Sequence, residues 1–168
     1  TLIFTINMVY QVQSVGLGPL QLVLVGTVLE GTVFLFEIPT GIVADVYSRR
    51  LSVIIGTALV GIGFLVEGLI PTFAGVLLAQ VVWGFGWTFT SGANEAWLAD
   101  EIGEDEAAKT YLRASQVGQL MAAVGIIASV AIASIELNYA IITGGVIQLL
   151  AALFLLLFMT ENGFTPTP

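Results

Sequence analysis

Two glutamates inside a long apolar run have the clearest capacity for chemistry in this sequence. Glu30 falls near the middle of the run at about 20–44, and Glu37 follows seven residues later on nearly the same helical face. An ionisable group at the centre of a membrane helix costs roughly 2.5–3.5 kcal/mol on insertion scales. Burial favours the protonated form of a carboxyl group, so Glu30 is a candidate proton carrier. Glu37 is a weaker candidate, because it can instead brace a bend at Pro39 or pair with a neighbouring helix.

Polar residues farther along repeat at helical spacing. Asn7 and Gln11 share one face of the first apolar run, and a heptad-like stripe follows the run at about 72–99. Glu95 stands beside this second stripe, where it can bind a proton or a cation, or pair with Arg113. Of the tryptophans only Trp87 lies on the stripe, which makes it a candidate substrate contact. The candidate proton or substrate site comprises Glu30, Glu37, Glu95, Asn7, Gln11, Gln80, Trp87, Ser91 and Asn94.

Composition indicates that lipid covers much of the surface that positions these residues. Of the 168 residues, 57% are hydrophobic and 10% are charged, against about 25% charged in a soluble domain. A membrane-spanning helix needs about 20 mostly apolar residues. The sequence therefore predicts an all-α membrane bundle with one truncated helix and five full ones, at about 1–14, 19–44, 51–70, 72–99, 107–135 and 139–159.

The basic residues predict the orientation. Arg49 and Arg50 lie between predicted helices 2 and 3, and Lys109 and Arg113 lie at the connection between helices 4 and 5. These connections are two spans apart and so share one side of the membrane, which the positive-inside rule makes cytoplasmic. We expect a multi-pass protein of the plasma or inner membrane with both connections in the cytoplasm.

The polar stripes predict which helices line a cavity. Lipid cannot satisfy polar side chains, so a polar stripe must face protein or water. Predicted helices 1 and 4 should therefore face a cavity. Helices 3 and 6 carry few polar residues and can face lipid. Predicted helix 5 has two ladders of small residues that mark packing faces, Ala114, Gly118, Ala122 and Gly125, Ser129, Ala133.

The loop between predicted helices 2 and 3 carries a family resemblance. Gly41, Asp45, Arg49 and Arg50 match the G-x-x-x-D-(R/K)-x-G-(R/K)-(R/K) pattern of the major facilitator superfamily. Val46 and Ser48 depart from it, standing where the family has a basic residue and a glycine, and the loss of the basic residue weakens the network. In that family the loop latches the two halves of a transporter on the cytoplasmic face. The resemblance implies such a gating network here, with Gly41, Asp45, Arg49, Arg50, Asp100 and Arg113 as candidates. The alternative is a solvated loop whose arginines only fix topology.

The same resemblance implies the architecture and the activity. Residues 1–160 would form the N-terminal six-helix domain, built from two three-helix inverted repeats, and residues 161–168 would begin a central cytoplasmic linker. The expected function is secondary transport of a small solute by alternating access, with proton-coupled efflux as the first expectation by analogy. The expected partners are the lipid bilayer, a small-molecule substrate and a missing C-terminal six-helix half, and no nucleic acid.

Two other classes of function were weighed. A half-size membrane protein could act as a homodimeric transporter or channel. An intramembrane enzyme would need a nucleophile–base pair, metal ligands or paired aspartates in its spans. The chain has no histidine and no cysteine, and no predicted span contains two aspartates. We therefore expect a protein that is not an enzyme and that uses neither a metal nor another cofactor.

Overall fold

The computed structural model describes residues 2–166, with side chains from residue 6 onward. All regular secondary structure in this part of the chain is α-helical. In chain order the helices are α1 (Leu2–Gln13), α2 (Pro19–Val46), α3 (Arg49–Leu69), α4 (Phe73–Thr90), α5 (Ala93–Ile102), α6 (Glu104–Ala133) and α7 (Leu137–Phe158). Five segments are long and apolar enough to cross a membrane when α4 and α5 are counted as one span, Phe73–Ile102. The predicted all-helical, multi-pass architecture is confirmed at this level.

The expected continuous helix at 72–99 is wrong. The chain breaks between α4 and α5 at Ser91 and Gly92, and Gly92 has a φ of +74°. Only glycine adopts this left-handed backbone without a steric penalty, so the residue type sets the position of the break. The break falls inside the predicted polar stripe and redirects the residues that follow it.

The other boundaries also differ from the expected ones because the connections are shorter than predicted. Only Tyr47 and Ser48 separate α2 from α3, so Arg49 and Arg50 belong to the first turn of α3. Ser48 caps this helix by accepting a hydrogen bond from the Leu51 backbone N–H at 2.9 Å. Glu104, Asp105 and Glu106, which lie between the predicted helices at 72–99 and 107–135, form the first turn of α6, where carboxylates favourably face the positive end of the helix dipole.

Helix α3 is the most buried of the five spans, with 61% of its most apolar window buried, so less of its surface is free to face lipid than we expected. It packs against α4 and α7 where small residues let the backbones approach closely. A Cβ added to Gly86 would lie 2.8 Å from the Gly56 carbonyl oxygen, and one added to Gly61 would lie 3.0 Å from the Gly145 carbonyl oxygen. These glycines are required by contact between neighbouring backbones.

Helices α2 and α6 are the least buried of the five spans. In their most apolar windows only 11% of the α2 residues and 6% of the α6 residues are buried. Of the two ladders predicted on α6, the second packs through Gly125 and Ser129. The first is open, since a Cβ added to Gly118 would meet nothing within 4 Å. These two helices are therefore the spans least covered by the rest of the described chain.

Candidate functional site

The second half of the predicted stripe forms a cleft at the break between α4 and α5. Trp87, Ser91, Asn94 and Glu95 line this cleft together with Tyr111 of α6, and its volume is about 380 Å³. The turn at Gly92 brings the end of α4 and the start of α5 to one wall. Trp87 is 51% exposed, so its indole ring is available to a ligand. We call this the Glu95 cleft.

A second cleft adjoins the first across Trp87. Glu30, Leu29 and Val33 of α2 and Trp83 and Trp87 of α4 line it, and its volume is about 270 Å³. We call it the Glu30 cleft. Glu30 is exposed and, among residues 6–166, its carboxylate receives no hydrogen bond and forms no ion pair.

Glu37 lies two helical turns after Glu30 on the same exposed face of α2. The Ser91 hydroxyl donates to its Oε1 at 3.4 Å, which links α2 to the break between α4 and α5. This contact agrees with a bracing role. Gly41 and Asp45 continue the same helical face toward the end of α2, and a Cβ added to Gly41 would meet nothing within 4 Å.

Asn7 and Gln11 do not face a cavity as predicted. They are buried against α3, where they donate from Nδ2 and Nε2 to the two carboxylate oxygens of Glu67 at 3.4 and 2.7 Å. The Tyr10 hydroxyl donates to the Glu67 backbone carbonyl at 2.7 Å. Glu67 itself has no exposed surface. These four residues, the Glu67 cluster, fasten α1 to α3.

Glu67 was not among the residues predicted to matter from the sequence. Its signal was present, because it is the one acid in α3 and the donors on α1 repeat at helical spacing. Gln80 also lies away from the clefts: it is buried in α4, and its Nε2 atom has no hydrogen-bond partner among the described residues.

Part of the predicted gating network forms at the end of the bundle where α3 begins. Arg49 Nη1 lies 2.5 Å from the Asp100 Oδ2 atom and 3.1 Å from the Ala96 carbonyl oxygen. Its Nη2 lies 3.4 Å from Asp45 Oδ1, and the Asp45 side chain remains 54% exposed. Arg49 therefore joins α3 to α2 and α5, while most of the Asp45 carboxylate is open to further contacts.

Arg50 turns the other way, toward the end of α7. It donates from Nε to the Met159 carbonyl at 2.6 Å and from Nη2 to the Leu156 carbonyl at 2.7 Å. A cation at these carbonyls complements the negative end of the α7 dipole. The predicted location of Arg50 near the loop is right, but its partners are backbone atoms of α7.

Two acids that the sequence analysis did not select complete this end of the bundle. Glu161 accepts from the Ser48 hydroxyl at 2.7 Å and from the Arg50 backbone N–H at 2.8 Å, so it caps the start of α3. Glu101 accepts hydrogen bonds from the backbone N–H groups of Asn162 and Gly163. The segment after α7 thus lies across the ends of α3 and α5, and we call these contacts the Arg49 network.

The predicted member Arg113 does not join the Arg49 network. It is exposed on α6 and, in the part of the chain that the structure describes, pairs neither with Asp100 nor with Glu95. Lys109 pairs with Glu106 of its own helix at 2.7 Å. The open α6 face leaves Arg113 without the neighbours that were expected.

The described residues offer no evident metal centre. Within residues 2–166 there is no group of three or more His, Cys, Asp or Glu side chains placed to hold a metal ion. The chemistry that the two clefts can provide is therefore that of separate carboxylates beside indole rings and amide or hydroxyl groups.

Comparison with known proteins gives one informative match. The chain is 28% identical over 149 residues to the "Uncharacterized MFS-type transporter YxaM" of Bacillus subtilis (strain 168), and the match covers 89% of the chain. The chain spans 36% of the length of that relative. No family model matches the sequence, and no solved structure matches it.

This similarity and the five apolar spans agree with each other. The chain is a multi-pass transmembrane protein that resembles a transporter of the major facilitator type. The similarity extends over nearly the whole chain and is not restricted to the loop at Gly41–Arg50.

Proposed function

We propose that this chain forms the N-terminal half of a secondary transporter and one wall of its solute pathway. The observation that carries the proposal is the Glu30 cleft. An exposed carboxylate near the middle of a membrane-spanning helix is unfavourable against lipid, by roughly 2.5–3.5 kcal/mol if it is charged. The α2 face that bears it is therefore covered by water or by more protein, as in a transport cavity.

The exposure of α2 and α6 supports a second half of the protein that packs against them. Gly41 on α2 and Gly118 on α6 have open space where a side chain would begin, and small residues allow another helix to approach. The relative is longer than this chain, which spans 36% of it. The occupant we propose is a C-terminal six-helix half of the same protein, with residues 161–168 starting the linker to it.

The Arg49 network is the proposed cytoplasmic gate. It contains the adjacent pair Arg49 and Arg50, two of the four basic residues of the sequence. By the positive-inside rule we expect this end of the bundle to lie in the cytoplasm, with the protein in the plasma membrane. Asp45 is half-exposed, so its carboxylate remains accessible to groups outside this chain. Contacts between Asp45 and the second half would hold the gate closed, and their release would accompany rocking of the halves in alternating access.

Proton-coupled export is the proposed form of transport, with Glu30 as the proton carrier. Its carboxylate lies in the Glu30 cleft without a described partner, so it is free to exchange a proton as access alternates. Glu95 occupies the adjoining cleft and is the second candidate. Because the Glu67 carboxylate is enclosed by donors and has no exposed surface, we assign it to holding α1 and α3 together.

The test uses inside-out vesicles that contain the complete protein carrying this chain. A pH gradient, acidic inside, should drive accumulation of at least one of two dyes, cationic ethidium and uncharged Nile red. Glu30→Gln should abolish the effect of the gradient, while the matched change Glu136→Gln at the exposed start of α7 should preserve it. Gradient-driven accumulation that persists in Glu30→Gln rules out Glu30, and no gradient-driven movement of either dye contradicts proton-coupled export.

A further inference from the structure

The two clefts have a charge pattern that selects the sign of a ligand. Glu30 lines one cleft and Glu95 lines the other, and Trp87 forms part of both. The four basic residues of the chain are Arg49, Arg50, Lys109 and Arg113, and there is no histidine. None of these cations lines either cleft.

Carboxylates without nearby cations disfavour an anionic ligand. Charges a few ångströms apart in a cleft attract or repel each other, and water in the cleft weakens this effect without changing its sign. A negative ligand in the Glu30 cleft would face an unneutralised carboxylate, and no described basic group of the cleft would compensate. A positive ligand would instead neutralise Glu30.

The walls favour an organic cation over a small metal ion. Besides Glu30, the lining consists of Leu29, Val33 and two indole rings, Trp83 and Trp87. Magnesium and calcium need several oxygen ligands in place of their water shells, and one carboxylate on an apolar wall does not supply them. Indole faces attract organic cations through the cation–π interaction, and tryptophan is the best of the aromatic residues for it.

We propose that the ligand of this site is a lipophilic organic cation, held by the Glu30 carboxylate and the exposed Trp87 ring. This inference rests on the proposed transport function and names its substrate class. Trp87 continues into the Glu95 cleft, so a flat or bulky aromatic cation can remain on the same ring while it moves between two carboxylates. The volumes of the two clefts are about 270 and 380 Å³, and together they fall in the range of small-molecule sites.

The test compares two probes of nearly identical shape and opposite charge. Tetraphenylphosphonium and tetraphenylborate are titrated into the purified complete protein, and binding is measured by calorimetry. The cation should bind at least about tenfold more tightly than the anion, because only the cation neutralises Glu30 and the anion is repelled by it. Glu30→Gln should reduce the affinity for the cation by at least about tenfold and should remove most of the difference between the probes.

Two further variants separate the ring from the charge and from general damage. Trp87→Ala should weaken binding of the cation by about fivefold, the size of a partly exposed cation–π contact. Glu136→Gln changes an exposed carboxylate at the start of α7, which lines neither cleft, and should leave both affinities unchanged.

Equal affinities for the two probes would overturn the proposal, and so would a preference for the cation that survives Glu30→Gln. The failure would be distinguishable from failure of the transport proposal, because the vesicle experiment also follows an uncharged dye. Gradient-driven export of Nile red without selectivity for the cation would reject the substrate class and retain the transporter.

Discussion

Helices α2 and α3 have similar hydropathy and opposite surroundings. The most apolar window of α2 has a mean hydropathy of 1.7 with 11% of its residues buried, and that of α3 has 2.0 with 61% buried. Helix α2 carries two glutamates, Glu30 and Glu37, and α3 carries one, Glu67. Glu67 of α3 is enclosed by donors from α1, whereas Glu30 of α2 is exposed in a cleft. Hydropathy places both helices in the membrane, and the partners of each glutamate decide whether it supports the fold or remains available to a ligand.

The largest contrast between the two regions should come from filling a glycine. Gly86→Val should prevent stable folding, because the new side chain would collide with the Gly56 carbonyl oxygen and with Leu59 on α3. Overpacking costs typically about 1–3 kcal/mol and more where backbone blocks relaxation. Gly26→Val on α2, where an added Cβ would meet nothing within 4 Å and which is not assigned to the contact with a second half, should leave the thermal stability of the protein in detergent nearly unchanged. An equal loss in both variants would show that α2 is not open.

A smaller contrast should separate the two glutamates. Glu67→Ala removes the acceptor of the buried amides of Asn7 and Gln11, and each unsatisfied buried group costs about 1–3 kcal/mol. The melting temperature in detergent should fall clearly. Glu30→Ala removes no described hydrogen bond and should leave the melting temperature within about a degree, since exposed substitutions usually stay within about 0.5 kcal/mol.

Glu67→Gln is the control for this second contrast. Glutamine keeps one oxygen acceptor, so it should recover part of the stability that alanine loses. A Glu67→Gln protein as unstable as Glu67→Ala would contradict the assignment of Glu67 to hydrogen bonding between α1 and α3.

The arginines should show the smallest contrast. Arg49→Ala breaks a partly buried contact with Asp100 and a hydrogen bond to the Ala96 carbonyl, and hydrogen bonds to charged groups contribute about 1.5–3 kcal/mol. Arg113→Ala removes an exposed side chain without a described partner and should have no measurable effect on stability. Urea titration of the two variants in detergent checks this order. The reverse order would contradict the stabilising role assigned to the contacts of Arg49 with Asp100 and Ala96.

The sequence was sufficient for the membrane-spanning architecture, because the length and polarity of each apolar run are local properties. It also located the Arg49 end correctly, since Arg49 does pair with Asp45 and Asp100. The break at Gly92 was missed because glycine also occurs inside transmembrane helices. Which neighbour a polar stripe would face was even harder to predict from the sequence. Asn7 meets Glu67 across 60 positions of the chain, and helical periodicity alone does not say which helix a face will contact.

The candidate site was partly predictable for the same reason. Trp87, Ser91, Asn94 and Glu95 are close in sequence and do share a cleft. Asn7, Gln11 and Gln80 were grouped with them by polarity, and the packing of α1 and α4 against α3 buries them elsewhere. Glu161 was passed over because its partners on α3 lie 111 and 113 positions away.

Labelling of single introduced cysteines tests the central claim most directly, since this chain has no cysteine of its own. Val33 lines the Glu30 cleft, and Phe154 is exposed on α7, where we expect it to face lipid. The complete protein in membranes, carrying Val33→Cys or Phe154→Cys, is exposed to a water-soluble maleimide. Val33→Cys should react many times faster, because its cleft is wet and Phe154 faces lipid. Equally slow reaction at both positions would contradict a water-filled pathway along α2.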